Sequence, residues 1–289
     1  MDADGTRQTR LTTRAEQDRF PLWSPDGSKL AFGSQVGEHG WQLWVMNADG
    51  TNPRILAANI VAKGAREWSH DGTRIVFAGE VRGDLEILSV GVAGGAPINL
   101  TNSAGDDRNP SWSPDGQHIA FSSTRTGKSD IYIMRADGSD VRRLTTDSAA
   151  NESPAFAPDG STIAFVSHRD GVGDIYIMRA DGSDLRRLTV DAGATRDALR
   201  WSPDASHIAF QAAHATNYDI EIVRIADRRH TRFAATAAYD GMATWSPDGK
   251  RIAFISGRDG ADAAYLADAD GSNLRRLTTS ATLNPAFSP

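Results

Sequence analysis

The chain has 289 residues, 39% apolar and 24% charged, and no run of eighteen apolar residues that would make a transmembrane helix. A net charge of −6 with a pI near 5.6 argues against a nucleic-acid partner, which would call for a basic face. The absence of cysteine removes disulfides, thiolate metal sites and cysteine nucleophiles together.

From the start, residues 1–11 are polar and charged, with no apolar stretch of a signal peptide. Gln8-Thr-Arg-Leu-Thr12 reads as a lone outer strand (8–12). An aromatic-Ser-Pro-Asp-Gly element then recurs down the chain. Its aromatic falls at Trp23, Trp68, Trp112, Phe156, Trp201, Trp245 and, truncated, Phe287, at intervals of 45, 44, 44, 45, 44 and 42 residues. A fixed period of this length is the signature of a repeat architecture.

The clearest unit runs Asn109-Pro-Ser-Trp-Ser-Pro-Asp-Gly116, His118-Ile-Ala-Phe-Ser-Ser123, Asp130-Ile-Tyr-Ile-Met134, Ala136-Asp-Gly-Ser139 and Arg142-Arg-Leu-Thr145. It predicts four short strands, A to D. Strand A ends at the aromatic. Ser-Pro-Asp-Gly is a tight turn in which Pro presets φ, Asp bonds back to the backbone and Gly accepts positive φ. Ile-Ala-Phe is strand B and Asp-Ile-Tyr-Ile-Met is strand C. Ala-Asp-Gly-Ser turns the chain into strand D, where paired arginines discourage edge-to-edge pairing.

Strands B and C are apolar on both faces, as blades stacked around an axis require. The repeated Trp is expected to wedge between neighbouring blades. The fold class is therefore all-β, a propeller of four-stranded antiparallel blades in one domain. Its repeats fall near 20–57, 65–101, 109–145, 153–189, 198–234 and 242–278, with partial strands at 8–12 and 284–288. Six blades is the expected count and seven the alternative. One orphan strand is expected to replace its equivalent in the closing blade, unless the chain was cut from a longer array.

The Trp-Ser-Pro-Asp-Gly, Ile-Ala-Phe and Asp-Ile-Tyr-Ile-Met-x-Ala-Asp-Gly set resembles the WD40-like PD40 repeat of TolB-type propellers, over essentially the whole chain. The resemblance implies a non-enzymatic scaffold that binds a protein or peptide, with an envelope lipoprotein as partner. It also implies a periplasmic or extracellular compartment, and a monomer without membrane insertion is expected.

In this topology the A–B and C–D turns share one face, nearly uniform among copies. The B–C loops and D–A connections share the other face and vary, so recognition is expected there. The residue five before each aromatic should sit near the channel mouth, giving Asp18, Lys63, Asp107, Asn151, Arg196 and Asp240. Arg19, Arg108, Glu152 and Asp197 follow them, and the B–C loops add His168 and His214. This mixed-charge ring suits a polar ligand, a peptide terminus or a cation, with internal salt bridges as the plain alternative. No cofactor is expected, although calcium in the central channel fits the acidic members.

No Gly-x-Ser-x-Gly or His-Glu-x-x-His occurs, and Asp268-Ala-Asp-Gly271 lacks the spacing of a calcium loop. Two alternatives to the scaffold stand. One is a propeller enzyme or accessory domain, a polysaccharide lyase using His168, His214, Tyr218 and Tyr239 or a peptidase gate. The other is a fragment or engineered array without activity of its own.

Overall fold

The computed structural model describes residues 1–2, 4–13, 17–37, 40–58, 60, 66–190, 194–214, 217–279 and 287–288, with the backbone alone for 194–198. Among these, every regular element is a strand, and the strands form six four-stranded antiparallel sheets with sequential order A-B-C-D. The chain is a six-bladed β-propeller. Blade 3 shows the unit: Asp107–Trp112, His118–Ser123, Asp130–Arg135 and Arg142–Arg143.

Strand A carries a bulge that its sequence explains. Arg108 pairs with Ser122 and Ser111 with Ala120, so Asn109 and Pro110 together oppose Phe121. Asn109 takes φ 53°, and Phe20, Ser153 and Met242 repeat that left-handed geometry at the same place in blades 1, 4 and 6. The proline costs nothing here, because a bulge residue need not donate to the ladder.

The apolar cores belong to the seams between blades. Val76, Ile87 and Leu100 of blade 2 pack with Trp112, Phe121 and Tyr132 of blade 3, and the same grouping recurs at the next three seams. Phe77, Phe121, Phe165, Phe210 and Phe254, one in each of blades 2 to 6, are almost wholly excluded from solvent. The expected Trp wedge is present. Trp68, Trp201 and Trp245 donate their indole N–H to the carbonyls of Leu22, Ala155 and Arg200 in the preceding blade at 3.0–3.1 Å. The buried Trp112 indole N–H finds no acceptor among the described residues.

The ends of the chain close the ring, though neither replaces a strand of a complete blade. In each regular seam a strand-D apolar residue meets the aromatic of the next blade, as Leu188 meets Trp201. Leu277 meets Phe287 in this way at the far side of blade 6, and Leu11 meets Trp23 before blade 1. Turn glycines tell the same story. A Cβ on Gly138 would lie 2.6 Å from the Leu100 carbonyl oxygen of the preceding blade. Gly5 bears that relation to Leu277 at 2.9 Å, and Gly50 to Leu11 at 3.1 Å. Residues 4–12 thus stand between blades 6 and 1 as a C–D turn and outer segment would. Residues 8–12 make no ladder with a neighbour, and 284–286 lie outside the described residues.

Strand D gives the arginine pairs a second role beside guarding the edge. The second of each pair, though it still reaches solvent, is tied to an acidic side chain. Arg143 turns in to Asp130 at 2.7 Å, and Thr145 donates to the same carboxylate at 3.0 Å while accepting the Ile131 amide. Arg187, Asp174 and Thr189 repeat this in blade 4. Asp130 and Asp174 are buried, and breaking such a pair strands an unpaired charge. Arg143→Ala, which leaves the Asp130 carboxylate buried without its cation, should therefore lower the unfolding free energy by about 3 kcal/mol. Arg142→Ala, at the exposed neighbour, should stay within about 0.5 kcal/mol of wild type. Urea denaturation of both variants checks the contrast.

Candidate functional site

Antiparallel pairing brings the start of strand A, the end of B and the start of C to one face. Asp107 opposes Ser123 and Ser123 opposes Asp130, with equivalent pairs in blades 4 and 6. The expected ring residues of strand A divide into two groups there. Asp107, Asn151 and Asp240 are fully buried, whereas Arg108, Glu152 and His168 are exposed. Asp18 and Arg19 are half-buried, and Arg19 donates to Gln17 at 2.6 Å. Lys63 lies outside the described residues, as do the side chains of Arg196 and Asp197.

The buried members are held by the arginines of the B–C loops. Arg125 donates to both Asp107 oxygens at 3.1 Å and to Ser123 Oγ at 2.8 Å, and its guanidinium lies 4.7 Å from the Tyr132 ring centroid. Arg258 does the same with Asp240, Ser256 and Tyr265, and Arg169 with Asn151, Ser167 and Tyr176. Each arginine is therefore clamped between a carboxylate or amide and an aromatic face, so it supports the loop rather than reaching outward. Arg125→Ala should cost about 3 kcal/mol, because it leaves Asp107 buried without its cation. Chemical denaturation, with Arg108→Ala as the near-neutral control, measures it.

Blade 5 departs from this pattern at every position. His214 stands where blades 3, 4 and 6 place arginine, Ala212 replaces the serine and Glu221 replaces the tyrosine. Polar contacts take over from ring stacking. Glu221 lies 3.2 Å from His214 Nε2 and 2.9 Å from His230 Nδ1, and Arg232 bonds His214 Nδ1 at 3.0 Å. Asp219, also buried, faces His214 at 3.5 Å. The strand A register slips as well, so that Thr195, not Arg196, opposes Ala212. In blade 2 the bridge to Gly79 comes from Ile60.

Among the described residues the acidic members of the ring form no cluster for calcium. Asp107 and Asp240 are committed to arginines, and among the described residues no three His, Asp or Glu side chains form a metal-binding group. Trp41 packs against Phe20, with ring centroids 6.5 Å apart, and against the seam of blades 1 and 2.

A second set of positions, missed in the ring of expected residues, lines the inner wall. It comprises the residues just before each aromatic: Leu22, Glu67, Ser111, Ala155, Arg200 and Thr244. Their variation inside an otherwise uniform strand was a usable signal. The Trp112 amide donates to Glu67 at 2.9 Å and Ser111 donates to the same carboxylate; the Phe156 amide donates to Ser111 Oγ at 3.2 Å. Arg200, three blades from Glu67, is close enough to act on it electrostatically, though not to form an ion pair. Arg200 is solvent-accessible, and the protein around it holds its guanidinium below the ordinary arginine value.

Burial pushes the Glu67 carboxyl up to about 7, against the opposing pull of the Trp112 amide, Ser111 and Arg200. The folded state thus binds the Glu67 proton more tightly than the unfolded chain, and this contribution to stability fades as pH rises from about 4.5 to 7. Relative to Glu67→Gln, wild type should lose about 1–3 kcal/mol between pH 5 and pH 8, the lower end reflecting channel water. Paired denaturation curves at the two pH values check the sign.

Comparison with known proteins places these features. The family model described as PD40, the TolB β-propeller domain, matches residues 1–152, 36–198 and 192–289. The Tol-Pal system protein TolB of Alcanivorax borkumensis is 32% identical over 76 residues, which are 26% of this chain and 18% of that protein. TolB from Acinetobacter baumannii superposes with a TM-score of 0.66 at 20% identity, over 90% of this chain and 66% of that one. Oligogalacturonate lyase from Vibrio parahaemolyticus gives a TM-score of 0.68 at 14% identity, over 92% and 80% of the two chains. This chain thus corresponds to only part of the length of its relatives, and the low-identity structures share its fold alone.

Proposed function

The chain belongs to the PD40 family of TolB β-propeller domains, and on that premise we propose that it is a non-enzymatic scaffold holding a protein or peptide partner across its channel-mouth face. One observation carries the reading. Copy-variable charges, Arg108 and Glu152 with the half-buried Arg19 at the equivalent place in blade 1, rise from a base of buried, internally bonded Asp107, Asn151 and Asp240. A rigid floor under exposed, varied side chains is how loops on a scaffold present recognition groups. Arg196, Asp197, Lys63, Asp18, His168 and His214 belong to the same proposed face. The relative named for the Tol-Pal system supports an envelope partner and the periplasm as compartment, with the chain acting as a monomer.

The buried members cannot serve as neutral probes, since replacing Asp107 would unseat Arg125. The test therefore reverses Arg19, Arg108 and Glu152 together (Arg19→Glu, Arg108→Glu, Glu152→Arg). Affinity capture from an envelope extract of the source cells should yield one partner with wild type and lose it with the variant, at a Tm within about 2 °C. Equal capture by both proteins overturns the site, and capture by neither overturns the scaffold.

Blade 5 favours a second reading, a propeller lyase. His214, Asp219, Glu221, His230 and Arg232 gather there, and Tyr218 stands 6.2 Å from Tyr239, centroid to centroid. His168, in blade 4, is not part of that group. Ultraviolet absorbance from unsaturated sugar released on anionic glycans would support it, and none across a broad panel would eliminate it.

A further inference from the structure

Strand A is the inner edge of every blade, and in two blades its channel-side amide is capped by an acceptor from the blade before. Glu67 caps Trp112 and Ser111 caps Phe156. Blade 6 has the same ladder: Trp245 pairs with Ile252 as Trp112 pairs with Ile119, and Ser246 donates to Arg251 as Ser113 donates to His118. The Trp245 amide therefore turns to the same side. The side chain in the capping position is Arg200, which has only donors to offer. Arg200 is seated against that residue, for the Trp245 indole N–H bonds the Arg200 carbonyl at 3.0 Å. Two donors thus converge where Glu67 and Ser111 supply an acceptor in their own blades.

No described carboxylate satisfies them. The Arg200 guanidinium bonds the Leu199 carbonyl at 3.2 Å, and among the described residues no acid lies within ion-pair distance of it. The channel's own carboxylate, Glu67, is already held by the Trp112 amide and Ser111. We propose that the inner wall at blades 5 and 6 is a carboxylate-binding site, in which the Arg200 guanidinium and the Trp245 backbone amide take the two oxygens of a ligand entering the channel. A planar carboxylate matches a guanidinium edge and an adjacent amide, and a single negative charge is better tolerated than a phosphate dianion with Glu67 in the same channel. Trp245 leads straight into the Ser246-Pro-Asp-Gly249 turn, so the site sits toward the uniform face and does not depend on the partner face proposed above. A peptide C-terminus and a sugar acid share the required chemistry.

The test is a titration of the isotope-labelled full chain, read at backbone amide resonances, with triglycine, triglycine amide and galacturonate as probes. Triglycine should shift the Trp245 amide saturably, and triglycine amide should not. Arg200→Gln should weaken that binding at least about tenfold while the melting temperature stays within about 2 °C of wild type. Glu67→Gln, which removes the opposing charge, should tighten it several-fold at pH 8 and serves if the Arg200 variant misfolds. A response to galacturonate alone keeps the site and assigns its ligand to the sugar acids. A Trp245 amide indifferent to both carboxylates, or binding unchanged in both variants, overturns the proposal.

Discussion

The seam between successive blades is the interaction on which the rest of the molecule depends. A single four-stranded blade has no interior of its own; Phe121 and Met134 become buried only because blade 2 supplies Val76, Ile87 and Leu100. Every blade therefore needs a neighbour on both sides, and the two chain ends must meet that need where the series stops. Leu11 and Phe287 meet it by taking, at the closing gap, the places that a strand-D apolar residue and a strand-A aromatic occupy elsewhere. Gly5 and Gly50 belong to the same solution, because side chains there would collide with the carbonyls of Leu277 and Leu11.

On that frame the polar residues sort by what burial permits. A carboxylate at the start of strand A or strand C is tolerated in the interior only with an arginine brought to it, which ties Asp107 to Arg125 and Asp130 to Arg143. Where the sequence of blade 5 gives up the arginine, it gives up the serine and tyrosine too, and a histidine–glutamate–arginine set takes their place. The uniform blades are thus stabilised in one way, and the chemical variety of the molecule collects in blade 5, on the loop tips and along the inner wall.

Much of this was legible in the residues. The period, the four-strand unit, the turn chemistry and the wedge of the aromatic follow from Trp-Ser-Pro-Asp-Gly and its companions. The division of the candidate ring was not legible, because Asp107 and Arg108 are neighbours in sequence and differ only in the side to which the strand turns them. The clamp on Asp107 was readable in part: Ser-x-Arg, the strand-C Tyr and the strand-A Asp or Asn occur together in blades 3, 4 and 6 and are lost together in blade 5. The Glu67–Arg200 relation could not be read from one repeat at all, since it joins residues 133 positions apart across an axis that exists only when the ring closes.

The aromatic at the end of strand A has an optical consequence. It occupies each seam once, and its surroundings differ from seam to seam. Trp68, Trp201 and Trp245 have an indole hydrogen bond to a neighbouring blade, Trp112 has none among the described residues, and Phe156 leaves the seam of blades 3 and 4 dark. The ring therefore carries a built-in set of fluorophores at known joints. With the other tryptophans replaced by phenylalanine, the emission of a single remaining one reports whether its own joint is shut, and the order in which the blades part can be followed by light.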